Sequence, residues 1–163
     1  MAPYHLLAAT GRQRLAFWVS TWFGCGLLPV APGSWGALAA LPLAALLATL
    51  GGPPLVLAGA AAVLVAGWWG SELYMRATDS HDPNEVVVDE VFGQCLTLAL
   101  VPVEPWAYLL GFAIYRTIDI LKVWPCNWID RRVGGAAGVM LDDLVAAVYA
   151  GLALHALLWT LAR

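Results

Sequence analysis

Apolar and polar positions alternate in long blocks. Largely apolar runs cover residues 34–50, 55–74, 85–101, 106–122 and 141–161, separated by "GGPP", "MRATDSHDPNE", "PVEP" and a last break rich in Trp, Arg and Gly. A helix crosses a bilayer with about 20 apolar residues, so each run approaches the length of a span. Ser34 is placed as the N-cap of the first, Pro42 as a kink within it, and "GGPP" as a forced turn. The third run is short and carries Asp89 and Glu90, so a helix buried among the others is the alternative to a full span. Ahead of these runs, Leu15, Trp18, Val19, Trp22 and Phe23 recur at i, i+3, i+4, i+7 and i+8, with Arg12 and Arg14 at the start. That spacing predicts an amphipathic helix lying on the membrane rather than a cleaved signal. The expected fold is all-α: a polytopic membrane helical bundle of about four to five embedded helices plus the N-terminal interfacial helix, in one domain over residues 1–163.

Composition supports that class. Of 163 residues, 61% are hydrophobic and only 12% charged, and the mean hydropathy is +0.76. A net charge of −3 without clustered Lys and Arg excludes a nucleic-acid partner. Cys25, Cys95 and Cys126 form no CxxC and read as buried thiols.

Threading the runs back and forth sorts the charges. Arg12, Arg14, Arg76, Arg116, Lys122, Arg131 and Arg132 fall on one side, with only Arg163 opposite, which makes that side cytoplasmic. Glu72, Asp79, Asp82, Glu85, Asp89, Glu90, Asp119, Asp130, Asp142 and Asp143 gather at the same side, and Glu104 alone belongs to the outer turn. Segments far apart in sequence are thereby expected to converge.

Within "DPNEVVVDE", Asp82, Pro83 and Glu85 suit the N-cap, N1 and N3 of a helix. Asp89 and Glu90 then fall inside it, where carboxylates are usually ligands or relays. In "YRTIDILK", Arg116, Asp119 and Lys122 are spaced for one helix face, either as an ion-pair ladder or with Asp119 on a cation and a basic neighbour on a phosphate oxygen. Asp142 and Asp143 open the last run; the helix macrodipole accounts for one of them, and since adjacent residues diverge by about 100°, the other can face elsewhere. The "APGS" turn with Gly33 and Ser34 offers backbone N–H groups to an anion. An acidic cluster of this kind repels phosphate unless cations intervene, and hard oxygen ligands suit Mg2+, with Mn2+ possible in its place. His81 is near enough to matter, either behind the ligands or at a substrate rim, with a solvated loop residue as the equal alternative, whereas His5 and His155 are not.

"LLPVAPGSWGALAALP", "DPNEVVVDEVFG" and "YRTIDILKVWPCNWIDRRVGGAAGVMLDDLVAA" together resemble the bacterial phosphatidylglycerophosphatase A family, in order and over nearly the whole chain. The resemblance implies a magnesium-dependent lipid phosphatase of the inner membrane. Its reaction converts phosphatidylglycerophosphate to phosphatidylglycerol and phosphate, with the active site at the cytoplasmic face and membrane lipid as surroundings. The family's acidic pair falls on Asp89 and Glu90, its Asp-x-x-Lys on Asp119 and Lys122, and its paired aspartates on Asp142 and Asp143. Ile118 and Val123 depart from the aromatic and proline often found there, without removing a chemical group. On this reading Asp89, Glu90, Asp119, Asp142 and Asp143 hold metal, and Asp89, Asp119, Lys122 and Asp142 are catalytic. Gly33, Ser34, Arg116 and Lys122 meet the substrate. Water attacks in line, with an aspartyl-phosphate route left open. The rival classes are a divalent-cation carrier of the inner membrane, which would also need buried carboxylates, and a noncatalytic scaffold. Acids clustered at one face argue against both.

Overall fold

A computed structural model describes residues 11–80 and 83–161. Six α-helices carry the fold: α1 (Gly11–Ser20), α2 (Pro32–Thr78), α3 (Val88–Leu98), α4 (Pro105–Leu121), α5 (Cys126–Arg132) and α6 (Gly135–Leu161), with a short 3₁₀ turn at Cys25–Leu27 and no strand among the described residues. Two helices, α2 and α6, are long and apolar enough to cross a membrane.

Helix α2 is broken, and the break lies in "GGPP". Gly51 and Gly52 leave the helical region, Gly52 at φ 65 and ψ −163, a conformation that only glycine adopts readily. The chain folds back there: a methyl group on Gly59 would collide with Leu47, although twelve residues of straight helix would hold them about 18 Å apart. Pro42, expected to kink the first limb, keeps helical backbone dihedrals. The helix also starts two residues before the expected Ser34 cap, with Ala31 as N-cap at φ 50 and Pro32 at N1, where a missing N–H costs nothing.

The third apolar run is the buried helix rather than the span. At 11 residues, α3 is about 16 Å long, and Val88, Val91, Phe92, Cys95 and Leu98 are all in the core. Small residues on its neighbours let it in: Ala37, Ala40 and Ala44 of α2, and Ala146, Ala147 and Ala150 of α6, are fully or almost fully buried. Thr97 couples α3 to α6, its hydroxyl donating to Gly93 O at 2.9 Å and Ala147 O at 3.4 Å.

Two corrections of register change the meaning of the acids. No helix starts at Pro83; residues 83–87 form a turn and α3 starts at Val88, so Glu85 does not occupy N3. Asp82 and His81 lie outside the described residues, as do His5 and Arg163. Asp89 and Glu90 consequently sit in the first turn of α3, where the macrodipole favours negative charge. Conversely, α6 begins at Gly135, so Asp142 and Asp143 stand two turns inside a long apolar helix and have no helix end to account for them.

Helix α1 forms but ends at Ser20, so Trp22 and Phe23 of the predicted face lie in a left-handed turn beyond it, and Ala16, Phe17 and Ser20 are the residues the helix buries. Phe17 stacks on Tyr74 with ring centroids 6.3 Å apart. Leu15, Trp18 and Phe23 face outward, while Val19 and Trp22 are half-buried. That is the arrangement of a helix docked on the bundle with its other side available to lipid. The chain after α1 is tied to the start of α3 by the Val87 N–H, which donates to Ser20 O at 2.8 Å.

Candidate active site

Where α2 begins, α3 begins, α4 ends and α6 passes, the helices surround a cavity of about 310 Å³. Asp89, Glu90, Arg116, Asp119, Lys122, Asp142 and Asp143 all line it, as do Gly33 and Asp130. Every acidic residue expected to hold metal is therefore in one place. The structure divides them into two groups with different partners.

The first group has almost no partners. Asp89, Glu90 and Asp143 present carboxylate oxygens that lie within 4.8 Å of one another. Asp89 Oδ1, Glu90 Oε2 and Asp143 Oδ1 are buried without a hydrogen bond, although Asp89 is only 7% and Asp143 3% exposed. The nearest positive charge is Arg116 Nη1, 3.6 Å from Glu90 Oε1. Three buried carboxylates facing each other are costly while charged, and a cation among them relieves that cost. All the donors are hard oxygens, so the site fits a small divalent ion such as magnesium.

In the second group every carboxylate is paired. Arg116 Nη1 donates to Asp119 Oδ2 at 2.5 Å, one side chain three residues from the other on α4. Lys122, just past the last residue of α4, hydrogen-bonds Asp142 and lies 3.8 Å from Asp119 and 3.4 Å from Asp130. Its backbone is left-handed at φ 46, which turns the side chain back over the helix end. Burial disfavours the Lys122 charge, but the hydrogen bond and attraction of Asp142, then the attraction of Asp119 and Asp143, more than offset it and push the ammonium pKa above its ordinary value. Lys122 is thus a fixed positive charge. The salt-bridge ladder of "YRTIDILK" is present, and its residues line the cavity.

Asp142 and Asp143 face different neighbours, as the angular step between adjacent helical residues requires. Asp142 is engaged by Lys122, while Asp143 faces Asp89 and Glu90 and receives no hydrogen bond on Oδ1. The Asp143 N–H donates to Asp142 Oδ1 at 3.1 Å.

Gly33 closes the cavity at the start of α2. A methyl group there would collide with the Glu90 carboxylate and crowd Arg116, so only glycine permits this approach. Ser34 does not line the cavity. Pro32 has no N–H and the Ser34 N–H donates to Ala31 O at 3.0 Å, so this turn offers fewer backbone donors than "APGS" suggests. His155 is exposed on α6 twelve residues beyond Asp143, about 18 Å along the helix.

Sequence reasoning missed Asn84 and Tyr115 as parts of this region and brought Asp130 only to the same membrane side, not into the site. Asp130 and Asn84 line the cavity. The Tyr115 hydroxyl is buried without a partner, close against Gly93 one turn after Asp89. Tyr115 is the neighbour of Arg116 in the motif, but helix periodicity alone did not show that it points inward.

The profile of phosphatidylglycerophosphatase A matches residues 18–158, a stretch that contains every one of these side chains. The chain belongs to the phosphatidylglycerophosphatase A family. Phosphatidylglycerophosphatase A of Escherichia coli (strain K12) is 36% identical over 149 residues, covering 90% of this chain and 78% of the relative. That of Haemophilus influenzae (strain ATCC 51907 / DSM 11121 / KW20 / Rd) is 34% identical over 156 residues, covering 95% and 88%. No solved structure matches the chain. This family membership gives no support to a divalent-cation carrier.

Proposed function

We propose that this protein hydrolyses the terminal phosphomonoester of phosphatidylglycerophosphate to phosphatidylglycerol and phosphate, with magnesium as cofactor, at the cytoplasmic face of the bacterial inner membrane. The observation that carries the proposal is the division of the cavity: unpartnered oxygens of Asp89, Glu90 and Asp143 on one side and the fixed cations Arg116 and Lys122 on the other. The first group is built for a cation and the second for an anion. Both charges are present in a phosphomonoester escorted by magnesium.

Asp89, Glu90 and Asp143 would hold the ion, three of the five expected ligands; the oxygens of Asp119 and Asp142 serve Arg116 and Lys122. When bound, magnesium supplies the positive charge that draws the phosphate in and stabilises charge developing on its oxygens. Arg116, held by Asp119 and Glu90, would offer its planar guanidinium to the phosphate. Lys122 stays protonated and contributes charge rather than a proton. Asp119 and Asp142 are then positioning groups for these cations. Water enters from the open side of the cavity and attacks phosphorus in line; the phosphorus–oxygen bond to glycerol breaks, one water proton passes to the leaving glycerol oxygen and the other stays on the released phosphate.

The cytoplasmic placement rests on charge: the basic residues around this cavity outnumber those at the opposite end, where Glu104 is exposed. The deciding experiment is phosphate release by the purified protein from phosphatidylglycerophosphate, compared with phosphatidic acid, with magnesium and with chelator. Release from the first lipid only with magnesium is expected. Undiminished release in excess chelator would remove the cofactor, and no release under any condition would remove the reaction.

A further inference from the structure

The cavity opens between two exposed apolar lips that the reading above leaves unused. On one side, where α4 ends and α5 begins, Ile120, Leu121, Val123, Trp124 and Trp128 face outward, Trp124 71% and Trp128 55% exposed. On the other, Leu28, Val30 and Trp35 do so, Val30 being 72% exposed. The Trp35 indole N–H donates to Val30 O at 3.1 Å and fixes the shape of this lip. Both lips continue into the cavity wall, the first through Ile120 and Lys122 and the second through Ala31 and Pro32. The other segments that border the cavity have no such surface: between Trp68 and Leu100, and between Trp128 and Val148, no described large apolar side chain is exposed.

Large apolar side chains beside a strongly charged cavity are unfavourable in water. Their neighbours identify what covers them. Helix α5 ends on exposed Arg131 and Arg132 directly after the two tryptophans, and tryptophan next to exposed arginine fits the interface of a membrane with anionic lipid. A polar cavity between two apolar lips also matches the layout of one ligand class, a charged headgroup joined to paired hydrocarbon chains.

We propose that the two lips seat the acyl chains of a diacyl anionic phospholipid whose phosphate headgroup enters the cavity. This inference rests on the lipid-phosphatase reading and deepens it, making the lips the determinants that favour membrane-resident over deacylated substrate. Chains held at the lips place the headgroup at the depth of Arg116 and Lys122 without leaving the bilayer. The selectivity therefore belongs to binding.

Two measurements on the full chain test this. The first is the ratio of kcat/KM for dioleoyl phosphatidylglycerophosphate over the same headgroup without acyl chains, in Trp124→Gln with Trp128→Gln and separately in Val30→Gln. The ratio should fall about tenfold in each variant, chiefly through KM, equivalent to about 1.4 kcal/mol of lost apolar contact. An unchanged ratio overturns the proposal. The second attaches a fluorophore to Trp124→Cys, in a chain with Cys25→Ser, reconstituted in vesicles of phosphatidylethanolamine and phosphatidylglycerol. Lipid brominated on its acyl chains should quench it, and quenching by aqueous iodide instead overturns the proposal. If the native protein hydrolyses neither substrate, the phosphatase reading fails while the quenching still decides whether the lips meet lipid.

Discussion

Replacing Asp143 with asparagine separates two consequences of the same geometry. Without metal, Asp143 faces Asp89 and Glu90 with oxygens within 4.8 Å and no hydrogen bond on Oδ1. At an effective dielectric near 20, each fully charged pair at that separation costs about 3.5 kcal/mol. Arg116 offsets part of this, and neutralising buried ionic groups typically stabilises by about 1–4 kcal/mol, so Asp143→Asn should stabilise the metal-free protein by about 1–3 kcal/mol. For a chain of this length that raises Tm by about 3–10 °C. Asp142→Asn should do the reverse. It removes the hydrogen-bonded partner of Lys122, which keeps only the more distant Asp119 and Asp130. Breaking a fully buried pair costs about 3–5 kcal/mol, and the partial exposure of Lys122 reduces that to about 1–3 kcal/mol. The assay is thermal unfolding in detergent with chelator and again with magnesium. Native protein should gain about 2.7 kcal/mol at a magnesium concentration one hundred times its Kd, a gain that Asp143→Asn loses and Asp142→Asn retains in large part. Phosphatase activity should fall by orders of magnitude in Asp143→Asn despite its higher Tm. If Asp143→Asn is destabilised in chelator and still shows the native magnesium shift, the unpartnered trio is not the cation site.

Gly33→Ala should leave expression and Tm close to native, because alanine favours helix by about 1 kcal/mol, yet lower activity by at least about tenfold as the added methyl displaces the Glu90 carboxylate. Glu104→Gln, exposed at the opposite end of the bundle, should be silent in both activity and Tm. Asp130→Cys, in a chain lacking reactive native cysteines, should be labelled by a membrane-impermeant thiol reagent only after the cytoplasmic side is opened. Labelling in intact cells would invert the topology.

Much of the fold was legible because hydrophobic runs and Pro/Gly breaks are local signals. The "GGPP" turn, the presence of an N-terminal helix though not its end at Ser20, the break at "PVEP" and the burial of the third run all follow from residues within a few positions of each other. Helix starts were less legible. The Asp82–Glu85 pattern has the composition of a cap, but Val87 is held by Ser20 from another helix, and α3 begins at Val88 instead. Likewise "GGAAG" looks like a loop, yet α6 takes in four of its five residues, placing Asp142 and Asp143 deep in a helix. Helix α5 was hidden in what reads as a polar break. The convergence of the acids was legible from topology alone. Their partners were not, since a partner depends on helix rotation and on whether Lys122 ends α4 in a left-handed turn.

That rotation explains why two adjacent aspartates occur in an apolar helix. A single carboxylate on α6 could pair with Lys122 or face Asp89 and Glu90, but the step of about 100° between neighbours prevents it from doing both. Two in succession let one rigid helix form a wall of both the anionic and the cationic halves of the cavity. The Asp143 backbone N–H donates to Asp142 Oδ1 and holds the Asp142 carboxylate against the helix backbone. Small residues flank the pair's helix on its packed side, with Ala146, Ala147 and Ala150 buried against neighbouring helices, so α6 has little freedom to turn. The halves are held in fixed register by packing, and the electrostatic cost falls on Asp143, the carboxylate left without a partner. A site that needed only helix solubility or a cap would place such a group at the rim in water. Here it is 3% exposed and aimed at two like charges, an arrangement whose cost a cation bound among the three carboxylates would relieve.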